Sequence, residues 1–133
     1  MLLRLAGFAL TFFALSVSGA ALAADAKPSP IVFFDIAGPD SARLSGFYSS
    51  VFGWQIDAKG SIKTPGGLEG TLRKDPSEKI IYMGVTDINL ALKSIEASGG
   101  KTVLPRTVVP NAVTFALFTD PAGNRMGLVE IKP

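Results

Sequence analysis

The spacing of apolar positions along this chain changes period several times, and each change marks an element. Ile31-Val32-Phe33-Phe34-Asp35-Ile36 is dense in β-branched and aromatic residues and is closed by Gly38-Pro39, which predicts a strand buried on at least one face. Asp40 then stands as a helix N-cap. Behind it Leu44, Phe47, Tyr48, Val51 and Phe52 recur at helical spacing, so these large apolar groups share one stripe. Gly53 ends that helix by taking the left-handed conformation, and Trp54-Gln55-Ile56-Asp57 runs back as a strand.

The same order recurs downstream. Ile80-Ile81-Tyr82-Met83-Gly84-Val85 matches Ile31 to Ile36 position by position, and Asp87 again precedes an amphipathic stretch carrying Ile88, Ala91, Leu92 and Ile95. Gly99-Gly100 is the stop, and Lys101 to Leu104 follows as a strand bounded by Pro105. Val113 to Thr119 and Met126 to Ile131 flank Asp120-Pro121-Ala122-Gly123-Asn124 and predict a hairpin. Ser61 to Thr64 and Leu68 to Arg73, around Pro65-Gly66-Gly67, form a weaker version of it. Repetition of strand, helix and strands at about half the length of the globular part predicts an internal duplication, with modules at about 31–75 and 78–132.

Ahead of these modules lies a different kind of segment. Arg4, the apolar run Leu5 to Val17 and the small-x-small pattern Ala21-Leu22-Ala23 predict an export signal, residues 1–23, with cleavage after Ala23. The rival reading is an uncleaved anchor, and the small residues before Asp25 argue for processing. Residues 24–30, with Pro28 and Pro30, read as a linker, and 31–133 as one domain, since a chain of 133 residues leaves no room for a second. The expected location is periplasmic or secreted, with no membrane contact once the signal is removed. Export commonly brings disulfides, yet the chain has no cysteine, so its core alone must hold the fold. The 13 Lys and Arg and 11 Asp and Glu are scattered without a basic run, which argues against a nucleic-acid partner.

Histidine is absent as well, which leaves carboxylates, Tyr, Lys and Arg for any proton transfer. On a strand of period two, Phe33 and Asp35 face away from Val32, Phe34 and Ile36. If the latter pack on the helix, Asp35 faces a cavity, where it could meet a cationic or hydroxyl-bearing ligand. The bland alternative is a carboxylate paired with a nearby Lys or Arg. Tyr82 lies on the corresponding strand and Trp54 opens another; each is a candidate ligand contact, although packing in the core is the commoner role for such a residue. Glu69 and Glu130 are expected to be solvated, with Glu130 pointing away from the cavity side.

Four stretches together resemble the vicinal oxygen chelate superfamily, which includes glyoxalase I, extradiol dioxygenases, and fosfomycin- and bleomycin-resistance proteins. They are Phe33-Phe34-Asp35-Ile36, Gly46-Phe47-Tyr48 leading to Val51-Phe52-Gly53-Trp54, the junction Val85-Thr86-Asp87-Ile88, and Phe118-Thr119-Asp120-Pro121-Ala122-Gly123-Asn124. The resemblance implies an α+β fold: paired βαβββ modules forming a cupped, partly open mixed sheet with helices outside. The implied cup would be lined by Phe33, Ile80, Tyr82, Gly127 and Val129, and together with Asp35 and Trp54 from the reading above these are the expected ligand-binding positions. Metal-dependent members of the family ligate one divalent ion through a His, a His or Gln, and a Glu. The positions aligned with them here carry Phe33, Ile80 and Gly127, so no metal and no other cofactor is expected. An all-carboxylate site from Asp35, Glu69 and Glu130 remains a formal alternative. The implied partner is a small-molecule ligand, and by analogy the protein is a homodimer. Three functions stay open: a metal-free binding domain, a lyase or dioxygenase-like enzyme with an atypical site, and a scaffold that has lost its pocket.

Overall fold

The computed structural model describes residues 27–133; the expected signal and the first residues of the linker lie outside the described residues. Strand β1 (Ile31–Gly38) leads into helix α1 (Ser41–Phe52), followed by β2 (Gln55–Ile56), β3 (Ser61–Lys63) and β4 (Glu69–Lys74). The second series is β5 (Glu78–Val85), α2 (Ile88–Ala97), β6 (Lys101–Val109), β7 (Val113–Thr119) and β8 (Arg125–Glu130). Both helices begin on the predicted caps. The Asp40 carboxylate accepts from Arg43 N at 3.0 Å and that of Asp87 from Leu90 N at 2.9 Å, each satisfying a donor of an open first turn. Gly53 closes α1 at φ 67°, and its N–H donates to the carbonyl of Ser49.

All strands form one sheet in the order β2-β3-β4-β1-β5-β8-β7-β6. The order is symmetric about the central β1–β5 pair. Within each half the first strand runs parallel to the last, β1 with β4 and β5 with β8, while β1 and β5 meet antiparallel. Two βαβββ modules are thus related by a local two-fold axis through that seam. The caps align Asp40 with Asp87, and hence Phe33 with Ile80 and Asp35 with Tyr82. This is two residues away from the match of Ile31–Ile36 to Ile80–Val85 that the apolar runs suggest. An even shift leaves every side chain on the same face, so the face assignments survive it.

Phe34 stands opposite Ile81 across the seam, and the residues next along, Met83 and Val85, pack against α2, so both helices lie on one side of the sheet. The main core on that side joins Ile88 and Leu92 of α2 to Ala116, Phe118 and Leu128. In the first module Ile62 and Leu72 are buried, but α1 contributes no buried residue. The expected apolar stripe of α1 is therefore split: Leu44 and Tyr48 are half-buried, whereas Phe47, Val51 and Phe52 are exposed. The physical reason is a shortage of partner surface, because β2 has two residues and β3 three.

The strand expected at Trp54–Asp57 is shorter because the Asp57 carboxylate accepts the N–H groups of Lys59 and Ser61 and turns the chain. Pro105 does not bound the strand after α2. Instead β6 runs through it to Val109 with register shifts at Thr102/Leu104 and Leu104/Thr107, which an edge strand tolerates because one side makes no ladder bonds.

Candidate functional site

On the face away from the helices, Ile80, Tyr82 and Leu117 are buried and pack with Phe33, Leu104, Phe115 and Val129. The rings of Phe33 and Tyr82 meet edge to face at 5.7 Å. The Tyr82 ring lies directly on Gly127, so a side chain grown at that glycine would collide with it. Six residues predicted to surround a ligand, Phe33, Asp35, Ile80, Tyr82, Gly127 and Val129, are brought together on this face, and their apolar side chains fill it with one another. Trp54 is not among them. It lies on the helix side, stacked on Tyr48 at 5.2 Å and 9° and tilted against Phe34 at 5.6 Å.

Asp35 is 4% exposed and anchors a charged chain at the edge of this cluster. Arg73 Nε donates to Asp35 Oδ2 at 2.9 Å, and the other guanidinium nitrogens reach Asp75 at 2.6 Å and Glu78 at 2.7 Å. Arg125 Nε meets the second oxygen of Glu78 at 3.2 Å. The Tyr82 hydroxyl donates to Asp35 Oδ2 at 3.3 Å, and Asp35 Oδ1 is buried without a partner. Burial, reinforced by the Asp35 charge, pushes the Tyr82 phenol up to about 12. The hydrogen bond to Asp35 holds the Arg73 guanidinium more firmly protonated than usual. Such a network suits structure better than proton transfer, since the carboxylate is committed to a permanent cation and the phenol is harder to ionise.

The other two carboxylates do not join Asp35. Glu69 is exposed, and Glu130 faces the opposite side, where Arg106 grips both its oxygens at 2.9 and 2.7 Å and Ile88 N approaches at 3.4 Å. Glu130 is thus ion-paired and not simply solvated; the bond from Arg106 holds its carboxyl down at about 2. Among the described residues no group of three or more His, Cys, Asp or Glu side chains is placed to hold a metal ion.

Open space lies on the helix side, over the seam. A groove of about 1110 Å³ runs across β1 and β5 between the two modules, with Phe34, Ile36 and Ile81 along the seam. One side is bounded by Trp54 and the β3–β4 turn with Pro65 and Leu68, the other by Met126 and the β7–β8 turn, which occupies the symmetry-related place. The second turn is held rigidly: Asp120 Oδ1 accepts the N–H groups of Ala122 and Asn124 at 2.9 Å each, and Oδ2 accepts Asn124 Nδ2 at 2.7 Å. These bonds lower the Asp120 carboxyl below its ordinary range. Lys79, Glu78 and Arg125 also border the groove, which reaches Asp35 and Ile80 as well. A smaller hollow of about 460 Å³ lies beside α1, lined by Ala37, Asp40, Arg43, Leu44 and Phe47 among others.

Sequence reasoning passed over Phe34, Leu68, Lys79, Ile81 and Met126 because it assigned this whole face to helix packing. The helices do not cover it. α1 packs chiefly on β4 and α2 on β6, each over its own module, which leaves the middle of the seam uncovered and Ile81 42% exposed. The duplication itself carried that signal, since two helices dedicated to separate modules leave their junction open.

No family model matches this chain, and no curated protein matches it either. Solved structures do. A hypothetical protein from Bacillus halodurans is 13% identical with a TM-score of 0.59, covering 80% of this chain and 97% of that one. Methylmalonyl-CoA epimerase from Mycobacterium tuberculosis is 14% identical at a TM-score of 0.58, over 77% of this chain and 88% of its own. The Streptomyces coelicolor methylmalonyl-CoA epimerase, solved in complex with 2-nitronate-propionyl-CoA, is 16% identical at 0.56, covering 80% and 100%. At such identities the likeness is one of fold alone, and with the symmetric eight-stranded sheet it agrees with the paired-module α+β architecture expected from the sequence.

Proposed function

We propose that this chain is an exported, metal-free ligand-binding protein of the glyoxalase and bleomycin-resistance type, which takes an apolar small molecule in the groove over its seam. The observation that carries this reading is the groove: about 1110 Å³, bordered by Phe34, Trp54, Leu68, Ile81 and Met126 with a few charged groups at one end. Ligand sites have that composition, mostly apolar with a small number of polar groups that set orientation.

The residues present do not fit the divalent ion of metal-dependent members. Phe33, Ile80 and Gly127 stand at the aligned positions, none offers a donor, and the ring of Tyr82 occupies the space a longer residue at 127 would need. The face opposite the helices accordingly keeps the fold's shape and serves as core. That same packing favours a second reading, in which the protein is a partner-binding module. A lyase or dioxygenase-like activity has less support, since Asp35 is already engaged by Arg73 and Tyr82. Export rests on the expected signal, and a homodimer on analogy with the fold; sedimentation of the mature protein tests the latter.

A thermal-shift screen of apolar metabolites, aromatic antibiotics and acyl-CoA thioesters tests the binding reading. A ligand at one hundred times its dissociation constant adds about 2.7 kcal/mol to the folded state, a shift easily read. Silence across the library selects the partner-binding module. Elemental analysis of protein purified without chelators is expected to find no stoichiometric Mn, Fe, Ni or Zn, and one such ion per chain would overturn the metal-free reading.

A further inference from the structure

The charged groups bordering the seam groove are Asp35, Glu78, Lys79, Asp120 and Arg125. Their commitments differ. Asp35 is bonded to Arg73 and Tyr82 on the opposite face. Glu78 is held from both sides, by Arg73 and Arg125. Asp120 is turned into its own loop, where three N–H donors spread its charge. Lys79 makes no ion pair among the described residues, is exposed, and lies on the groove side of β5, opposite Ile36. Every acid at this end is thus engaged from within the fold, and one cation is left available.

The apolar part begins at the other end. Leu68 and Trp54 sit near the entry of β1, level with Val32 and Phe33, while Lys79 is level with Ile36. About four residues of strand separate the two levels, roughly 13 Å at the usual rise. Between them stand Phe34, Ile81 and Met126.

We infer that the groove takes an apolar monocarboxylate, with the hydrocarbon along Phe34, Ile81 and Trp54 and the carboxylate at Lys79. This inference rests on the seam groove being the binding site. A tail of that length is released from water against aromatic and aliphatic side chains, and the ammonium selects the charge of the head group. A neutral ligand of the same tail gains the first contribution alone.

Trp54 is the only tryptophan of the chain and stands in the groove, so its fluorescence reports occupancy. The purified protein is titrated with decanoate and with decanol. Decanoate is expected to change the emission saturably, and Lys79→Ala to weaken it about fivefold, as for a largely exposed ion pair. Lys79→Arg keeps the affinity, decanol is indifferent to either change, and Lys59→Ala, outside the groove, affects neither ligand. Ile81→Asp, an exposed position that folds without loss of core, abolishes both. If decanoate binds the Lys79→Ala protein as well as the original, the carboxylate assignment is wrong and the groove reading stands. If neither probe perturbs Trp54, or Ile81→Asp leaves both unaffected, the groove reading falls and takes the inference with it.

Discussion

Asp35 shows what one buried carboxylate does to its neighbours. Its Oδ2 takes Arg73 and Tyr82, and its Oδ1 stays without a partner, so the fold tolerates the charge only through Arg73. Replacing Arg73 with Leu leaves that charge buried against a weak phenol donor and is expected to cost about 3–5 kcal/mol in urea unfolding. Tyr82→Phe keeps the ring on Gly127 and removes one long hydrogen bond, a loss of about 1 kcal/mol. Equal losses from the two substitutions would mean that Arg73 is not the partner that matters most to the buried Asp35. From sequence, the alternation of Phe33 and Asp35 was legible, and so was the possibility of pairing with a basic residue. Which basic residue was not, because Arg73 arrives through the parallel pairing of β1 with β4, a contact that no local pattern records.

The elements divide in the same way. Both capped helices, the duplicated strand and the Asp120 turn could be read directly, since caps, period and turn residues act within a few positions. The passage of β6 through Pro105 could not, because whether proline ends a strand depends on whether that strand has a neighbour on its second side. That edge is fastened from across β7 by Arg106 to Glu130, which also receives the N–H of Ile88 at the start of α2. Because the Glu130 carboxyl falls to about 2 in the fold from an ordinary value of 4.5, its contribution is present above pH 4.5 and is lost as pH falls toward 2. Glu130→Gln is therefore expected to lower stability at pH 7 and to flatten the acid limb between those values. Thermal melts across pH 2 to 7 would show this, and an unchanged acid limb in the variant would assign it to other carboxylates.

At the scale of the molecule, equal topology conceals unequal packing. The second module seals Ile88 and Leu92 of its helix against Ala116, Phe118 and Leu128, whereas α1 has no buried residue and leaves Phe47, Val51 and Phe52 exposed. Local stability follows buried apolar contact, so the two halves should not open together. β1 belongs to the first module by sequence, yet it is paired on both sides, with β4 and with β5, and β5 joins it to the better-packed half. Native-state hydrogen exchange is thus expected to place the β1 amides with those of β5 and β8, at the free energy of global unfolding. The α1 amides should exchange through a cheaper partial opening, well before those of α2. Trp54, stacked on Tyr48 of α1, would move with that opening, so occupancy of the groove beside it should slow α1 exchange more than α2 exchange. Amides of α1 as protected as those of α2 in the free protein would refute the asymmetry, and with it the idea that one wall of the groove is the softer half of the fold.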